Sequence, residues 1–168
     1  WIHSTQSTLL NCLMQTWRIP LSDDIQFVMY GKIEAYRRMR TTKTGRSYPD
    51  PKGVDWAKKV RNAYLDAGGY QFKGPVKVGI VAYFGIPQAT SKNKRRMLDE
   101  AGGWDGSACK KPDADNIAKA ILDSLNNVAY KDDAQVSVLH VFKTWAFTER
   151  VLVRISPAPP DRIKGYVE

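Results

Sequence analysis

Histidine and cysteine are scarce in this chain, with two of each. His3 and His140 are too few for a histidine-based metal centre and leave no Ser-His-Asp triad to assemble. Cys12 and Cys109 lie far apart, without C-x-x-C spacing or neighbouring histidine pairs, so neither a zinc framework nor a disulfide scaffold is read. The setting expected from such cysteine usage is reducing and cytoplasmic. No apolar run approaches the roughly 18 residues that a membrane span needs. Residues 8–14 are too short and polar for a secretory core, and no small-residue cleavage site follows them. A G-x-x-x-x-G-K-[ST] phosphate loop is also missing, which argues against a nucleoside triphosphatase. Any chemistry must therefore rest on carboxylates and lysines.

What the chain has in excess is positive charge. Its 168 residues carry a net +9, with a pI near 9.6. A surface of that sign favours polyanions and releases counterions when it meets phosphates, so nucleic acid is the partner class expected. The excess is concentrated. Residues 31–61 hold ten Lys or Arg against three acids, a net +7. Within that stretch Arg37, Arg38, Arg40, Lys43 and Arg46 share one loop with Tyr36 and Tyr48, a mixture suited to phosphates and exposed bases. A second basic patch, Lys92, Lys94, Arg95, Arg96, Lys110 and Lys111, flanks the acidic motif described below.

A chain of this length is expected to form one domain. Residues 1–24 look like an appended extension, with a short helical patch around Leu9 to Trp17 and no assignable role. Residues 25–156 form the domain, and residues 157–168 a proline-bearing tail. Residues 25–30 alternate with a period of two and stop at Gly31, as a strand does. Residues 32–50 read as a basic loop turning at Thr44-Gly45-Arg46. Residues 51–67 read as a helix, with Asp50 as N-cap, Pro51 at the first position and Gly68 beyond the end. Its apolar stripe is predicted as Val54, Ala57, Val60, Ala63 and Tyr64. Residues 74–85 form a strand, 91–100 a short helix, and 101–112 a Gly-containing loop with Trp104, an anchor for that loop or a wedge between bases. Residues 113–127 form the clearest helix. Residues 133–146 and 148–156 alternate as two strands and are expected to pair as a hairpin. The order β-α-β-α-α-β-β predicts an α+β (mixed α/β) layer: one sheet of about four strands covered by helices.

The chemically informative stretch is K-P-D-A-D-N-I-A-K at 111–119, followed by Asp132-Asp133. Asp113 sits at a helix start, where orphan N–H groups favour a carboxylate. Asp115, Lys119 and Asp123 are four apart and share one helical face, while Ile117, Ile121, Leu122 and Leu125 supply the packing face. Asp132 and Asp133 open the next strand, from which they can approach that stripe. Converging carboxylates raise each other's pKa unless a cation separates them. Hard oxygen ligands of this kind suit Mg²⁺, with Mn²⁺ as a substitute, and a nearby lysine suits charge developing on a phosphate. Taken singly, each acid is also explained as an N-cap, a surface i,i+4 pair or a turn. On so basic a chain, their clustering favours a site.

The two motifs together, K-P-D-x-D-N-x-x-K and then D-D-A-Q-V, resemble the signature of the RusA family of Holliday junction resolvases. The likeness extends in element order over about 25–155 and is strongest over 111–136. The arginines of the loop after the first strand fit that family, though its usual prolines are missing here. The resemblance implies a RusA-like fold and a Mg²⁺-dependent endonuclease that acts as a homodimer. Such an enzyme resolves branched DNA by paired nicks in recombination and repair, and the family occurs in bacteria and their phages. It implies Asp113, Asp115 and Asp133 as metal-binding acids, with Asp132 the lesser candidate, and Lys119 as the essential lysine. Asn116 would hold the helix start, and Asp123 would pair with Lys119. Arg37, Arg38, Arg40, Lys43, Arg46 and Lys111 are the DNA contacts expected. Two rivals remain: a non-catalytic junction-binding accessory protein, which needs the charge but not the acids, and a Mg²⁺-dependent enzyme acting on nucleotides.

Overall fold

The computed structural model describes residues 23–100 and 108–158. The expected N-terminal extension (up to residue 22), Trp104 and all but the start of the C-terminal tail lie outside the described residues. Strand β1 (Ile25–Tyr30) is followed by a two-residue ribbon, β2 (Arg40–Thr41) and β3 (Ser47–Tyr48), and then helix α1 (Pro51–Asp66). Strand β4 (Val76–Gly85), helices α2 (Lys92–Glu100) and α3 (Ala114–Leu125), a 3₁₀ turn (Asp133–Gln135) and strands β5 (Val136–Ala146) and β6 (Arg150–Pro157) complete the domain. The mixed α+β layer expected from the sequence is present, and the ribbon inside the basic loop is an addition to it. Its turn closes through Thr42 and Arg46, with Gly45 at φ +81°, a conformation that glycine adopts without a Cβ penalty.

The main sheet has four strands in the order β1-β6-β4-β5. β6 runs antiparallel to both β1 and β4, and β5 runs parallel to β4. The expected hairpin of the last two strands is therefore not formed. β5 and β6 are separated by residues 147–149 only, yet they lie on opposite sides of β4. The reason is burial. β4 is buried along most of its length and takes a central position, with a partner on each side. β6 fills the slot between β4 and β1 and buries Val151, Val153 and Ile155 completely. β5 keeps an edge and stays half exposed.

Helices α1 and α3 pack on each other, α1 also on β1 and α3 on β5. Phe27, Met29, Val78, Ile80 and Val153 from the sheet meet Val60, Tyr64, Ile117 and Ile121 in one core. The buried face of α1 is Trp56, Val60 and Tyr64, residues spaced by four. Val54, expected in the stripe, is 39 % exposed. It falls outside that four-residue spacing and stands at the exposed margin of the helix. Asp50 caps α1 as expected, accepting from the Lys52 N–H at 3.0 Å, and Gly68 beyond the C-terminus has φ +80°. Burial pushes the Tyr64 phenol up to about 12, and its hydroxyl donates to the Tyr70 carbonyl at 2.6 Å.

Candidate active site

The first acid of the motif stands at the N-cap of α3 with an extended backbone, φ −72° and ψ 155°. Its side chain makes no capping hydrogen bond; only its carbonyl joins the helix, accepting from Ile117 N–H at 3.1 Å. The exposed Asp113 carboxylate is thus not committed to the cap. Asp115 is exposed in the first turn and accepts from the Asn116 side-chain amide at 3.3 Å. Ile117, Ile121 and Leu125 are fully buried. Burying that side of the helix leaves Asp115 and Lys119 on its outer edge.

Lys119 is not a free surface lysine. Its Nζ lies 4.3 Å from the centre of the Tyr36 ring, within cation–π range. Tyr36 is held there because its N–H donates to the Asn116 carbonyl at 2.9 Å. The loop after β1 is thereby tied to the first turn of α3. Nothing in the sequence spacing links positions 36 and 119, and this contact is a tertiary finding.

Asp123 is half-buried. Burial pushes its carboxyl up, the Lys119 charge draws it back, and Asp133 pushes it up again, leaving it above the ordinary value. Tyr130, fully buried with its hydroxyl donating to the Leu122 carbonyl at 3.0 Å, is raised by burial first and then by Asp133 and Asp123. Asp133 therefore lies near the second half of α3. Its neighbour Asp132 is committed elsewhere: it caps the 3₁₀ turn, accepting from Ala134 N–H at 2.9 Å. Gln135, which sequence reading passed over within D-D-A-Q-V, clamps this turn. It accepts from Lys131 N–H at 2.8 Å and donates to the carbonyls of Phe72 at 3.2 Å and Gly74 at 2.9 Å.

The predicted acids thus share the neighbourhood of α3 without closing on one point. Lys119, Asp123 and Asp133 sit in one electrostatic field toward its C-terminal half, and Asp113 and Asp115 mark its start. Among the described residues, no three His, Cys, Asp or Glu side chains converge closely enough to form a metal cage. Mg²⁺ does not require one. It dehydrates reluctantly, keeps several waters and is commonly held by one or two carboxylates plus a substrate phosphate. The uncommitted Asp113 and the exposed Asp115 are oxygen donors of that kind.

The basic loop divides into two groups. Arg40 is 2.6 Å from the buried Asp50 carboxylate, and Arg37 is 2.6 Å from Glu34 and 3.9 Å from Asp50. These two arginines brace the loop. Arg38, Lys43, Arg46 and, before α3, Lys111 are exposed. In the second patch, Arg95 donates to the Pro87 carbonyl at 2.9 Å, and Arg96 lies 3.8 Å from Glu100. Lys110 and Lys143 both approach the Phe84 ring, at 5.8 and 5.5 Å. No helix among the described residues is long and apolar enough to cross a membrane.

A mixed α+β domain with this acid- and lysine-bearing helix falls, by comparison with known families, in the class of endodeoxyribonucleases, whose family model matches residues 31–156. The chain belongs to the RusA endodeoxyribonuclease family. It is also similar to an uncharacterized protein of Bacillus subtilis (strain 168), YqaN. The two are 32% identical over 139 residues, which cover 79% of this chain and 96% of the relative.

Proposed function

We propose that this protein is a Mg²⁺-dependent endonuclease that resolves four-way branched DNA by paired nicks, in recombination and repair in the bacterial cytoplasm. The observation that carries the reading is the Asp113 carboxylate, uncommitted at its own helix start, with Asp115 and the ring-braced Lys119 following on the same helix. Asp113, Asp115 and Asp133, with Asp132 beside them, are the acids assigned to metal, and Mn²⁺ is the expected substitute. The bound ion would activate a water and offset charge on the phosphate. Lys119, held in place by Tyr36, offers its ammonium to the charge that develops on the phosphate oxygens. Arg38, Lys43, Arg46 and Lys111 supply contacts to the backbone. Two cuts across a two-fold junction call for two such sites, hence a homodimer.

The test is cleavage of a synthetic four-way junction with Mg²⁺ by the parent and by Asp115→Asn. The parent is expected to make paired nicks. The variant should bind but cut at least about 100-fold more slowly, because metal charge stabilisation is worth several kcal/mol and each 1.4 kcal/mol is about tenfold. Tight binding without cutting by either protein, in Mg²⁺ and Mn²⁺, would make this a non-catalytic junction-binding protein.

A further inference from the structure

Beside the acid-bearing edge of α3 lies a cleft of about 250 Å³, bounded by residues 35–39, the start of α1 and the second half of α3. Its walls include Tyr36, Met39, Val54 and Trp56, and Asp123 supplies a carboxylate. The size is below the roughly 300–1,000 Å³ of sites for whole drug-sized ligands, and so suits a single flat ring. Polar side chains also line it: Arg37 and Asp50 are held in ion pairs and Ser124 donates to the Ala120 carbonyl, which leaves the Asp123 carboxylate to meet a ligand. Asp123 is an acceptor only partly withdrawn from water. The Trp56 indole N–H has no hydrogen-bond partner among the described residues, but it is closed off from solvent and so lies behind the cleft wall. Tyr36 joins this cleft to the active edge, because it lines the cleft and also carries the Lys119 ammonium on its ring.

We propose that this cleft receives one unstacked nucleobase of the bound DNA, adjacent to the phosphate to be cut, and that it selects a base carrying an exocyclic amine. The location beside the cut rests on the nuclease reading above; the cleft itself does not. Apolar and aromatic walls sandwich the faces of a flipped base, and polar groups read its pairing edge. The Asp123 carboxylate accepts from the amine of cytosine, adenine or guanine. Thymine carries a carbonyl where cytosine carries its amine, and that oxygen is repelled by the carboxylate. At a branch point, base pairs are already weakened, and extruding a base there is least costly.

The experiment places 2-aminopurine, which brightens on leaving the stack, at each position around the crossover of a four-way junction in turn. Binding is then followed without divalent metal. Emission is expected to rise severalfold at one position. Val54→Trp, which fills the mouth from an exposed helix position, should abolish the rise. The melting temperature of each variant checks its folding. In cutting assays, thymine at that position should be disfavoured about tenfold, the scale of one good base contact, and Asp123→Asn should flatten that preference. No rise at any position, or a rise that Val54→Trp leaves intact, overturns the base site. Discrimination against thymine that Asp123→Asn leaves unchanged overturns the reading of the amine. Cutting without a rise sinks the cleft alone; a rise without cutting sinks the nuclease reading alone.

Discussion

Asp50 shows how one residue can hold a functional loop to the body of the domain. Burial alone would push its carboxyl up, but the hydrogen bond from Arg40, the Lys52 N–H and the charges of Arg40 and Arg37 leave it below the ordinary value of 3.8. A carboxyl whose pKa is depressed by folding stabilises the folded state above its unfolded pKa, and that contribution is lost as pH falls through the lower folded value. Asp50→Ala should therefore lower the melting temperature more at about pH 7 than at about pH 3. Asp50→Asn, which still caps a helix, should lose less. Thermal melts at both pH values check this, and a deficit independent of pH would show that the charge on Asp50 does not contribute to stability. The sequence already marked Asp50 as a cap. That two of the expected DNA-contact arginines converge on it was not legible, because ion pairing across ten residues leaves no periodic trace.

At the scale of elements, the 3₁₀ turn before β5 decides where Asp133 stands. Gln135 ties that turn to the segment leading into β4 with its carboxamide, making three hydrogen bonds in all. Gln135→Ala should cost about 2–3 kcal/mol, at about 1 kcal/mol net for each hydrogen bond. That corresponds to a fall of roughly 4–12 °C in melting temperature for a chain of this size. It should also lower kcat for cutting with little change in junction affinity, since Asp133 loses its fixed position. Calorimetry and single-turnover cutting read the two effects, and a variant that melts and cuts like the parent would remove Gln135 from the site's support. The strands and helices were legible as periodicities, and the start of α3 was legible from Pro112 and Asp113. The pairing of β5 and β6 was misread as a hairpin, since alternation marks a strand and a buried face but not its neighbour in the sheet.

For the whole molecule, charge is the dominant feature, and it divides between bracing and contact. All five basic residues of the loop are exposed, but Arg37 and Arg40 are also paired with acids of their own chain. Replacing Arg38, Lys43 and Arg46 by Gln should flatten the slope of log affinity against log salt by up to about three, since each neutralised phosphate contributes about one. Replacing Arg37 and Arg40 should instead act mainly on stability, through Asp50. Junction binding followed by anisotropy across a salt series, without a cutting metal, separates the two. An unchanged slope for the triple variant would remove the loop from the contact surface.

The sequence by itself determined the α+β class, the basic character, and a set of acids and a lysine at spacings legible without coordinates. These are local properties: period, cap chemistry and charge count follow from neighbours within a turn or two. Only the tertiary structure decided that Tyr36 braces Lys119, that Asp132 caps a turn while Asp133 faces α3, that β6 enters between β1 and β4, and that Trp56 and Asp123 share a cleft. Each of these joins residues brought together when apolar faces are buried, and burial determines partners that no spacing along the chain records.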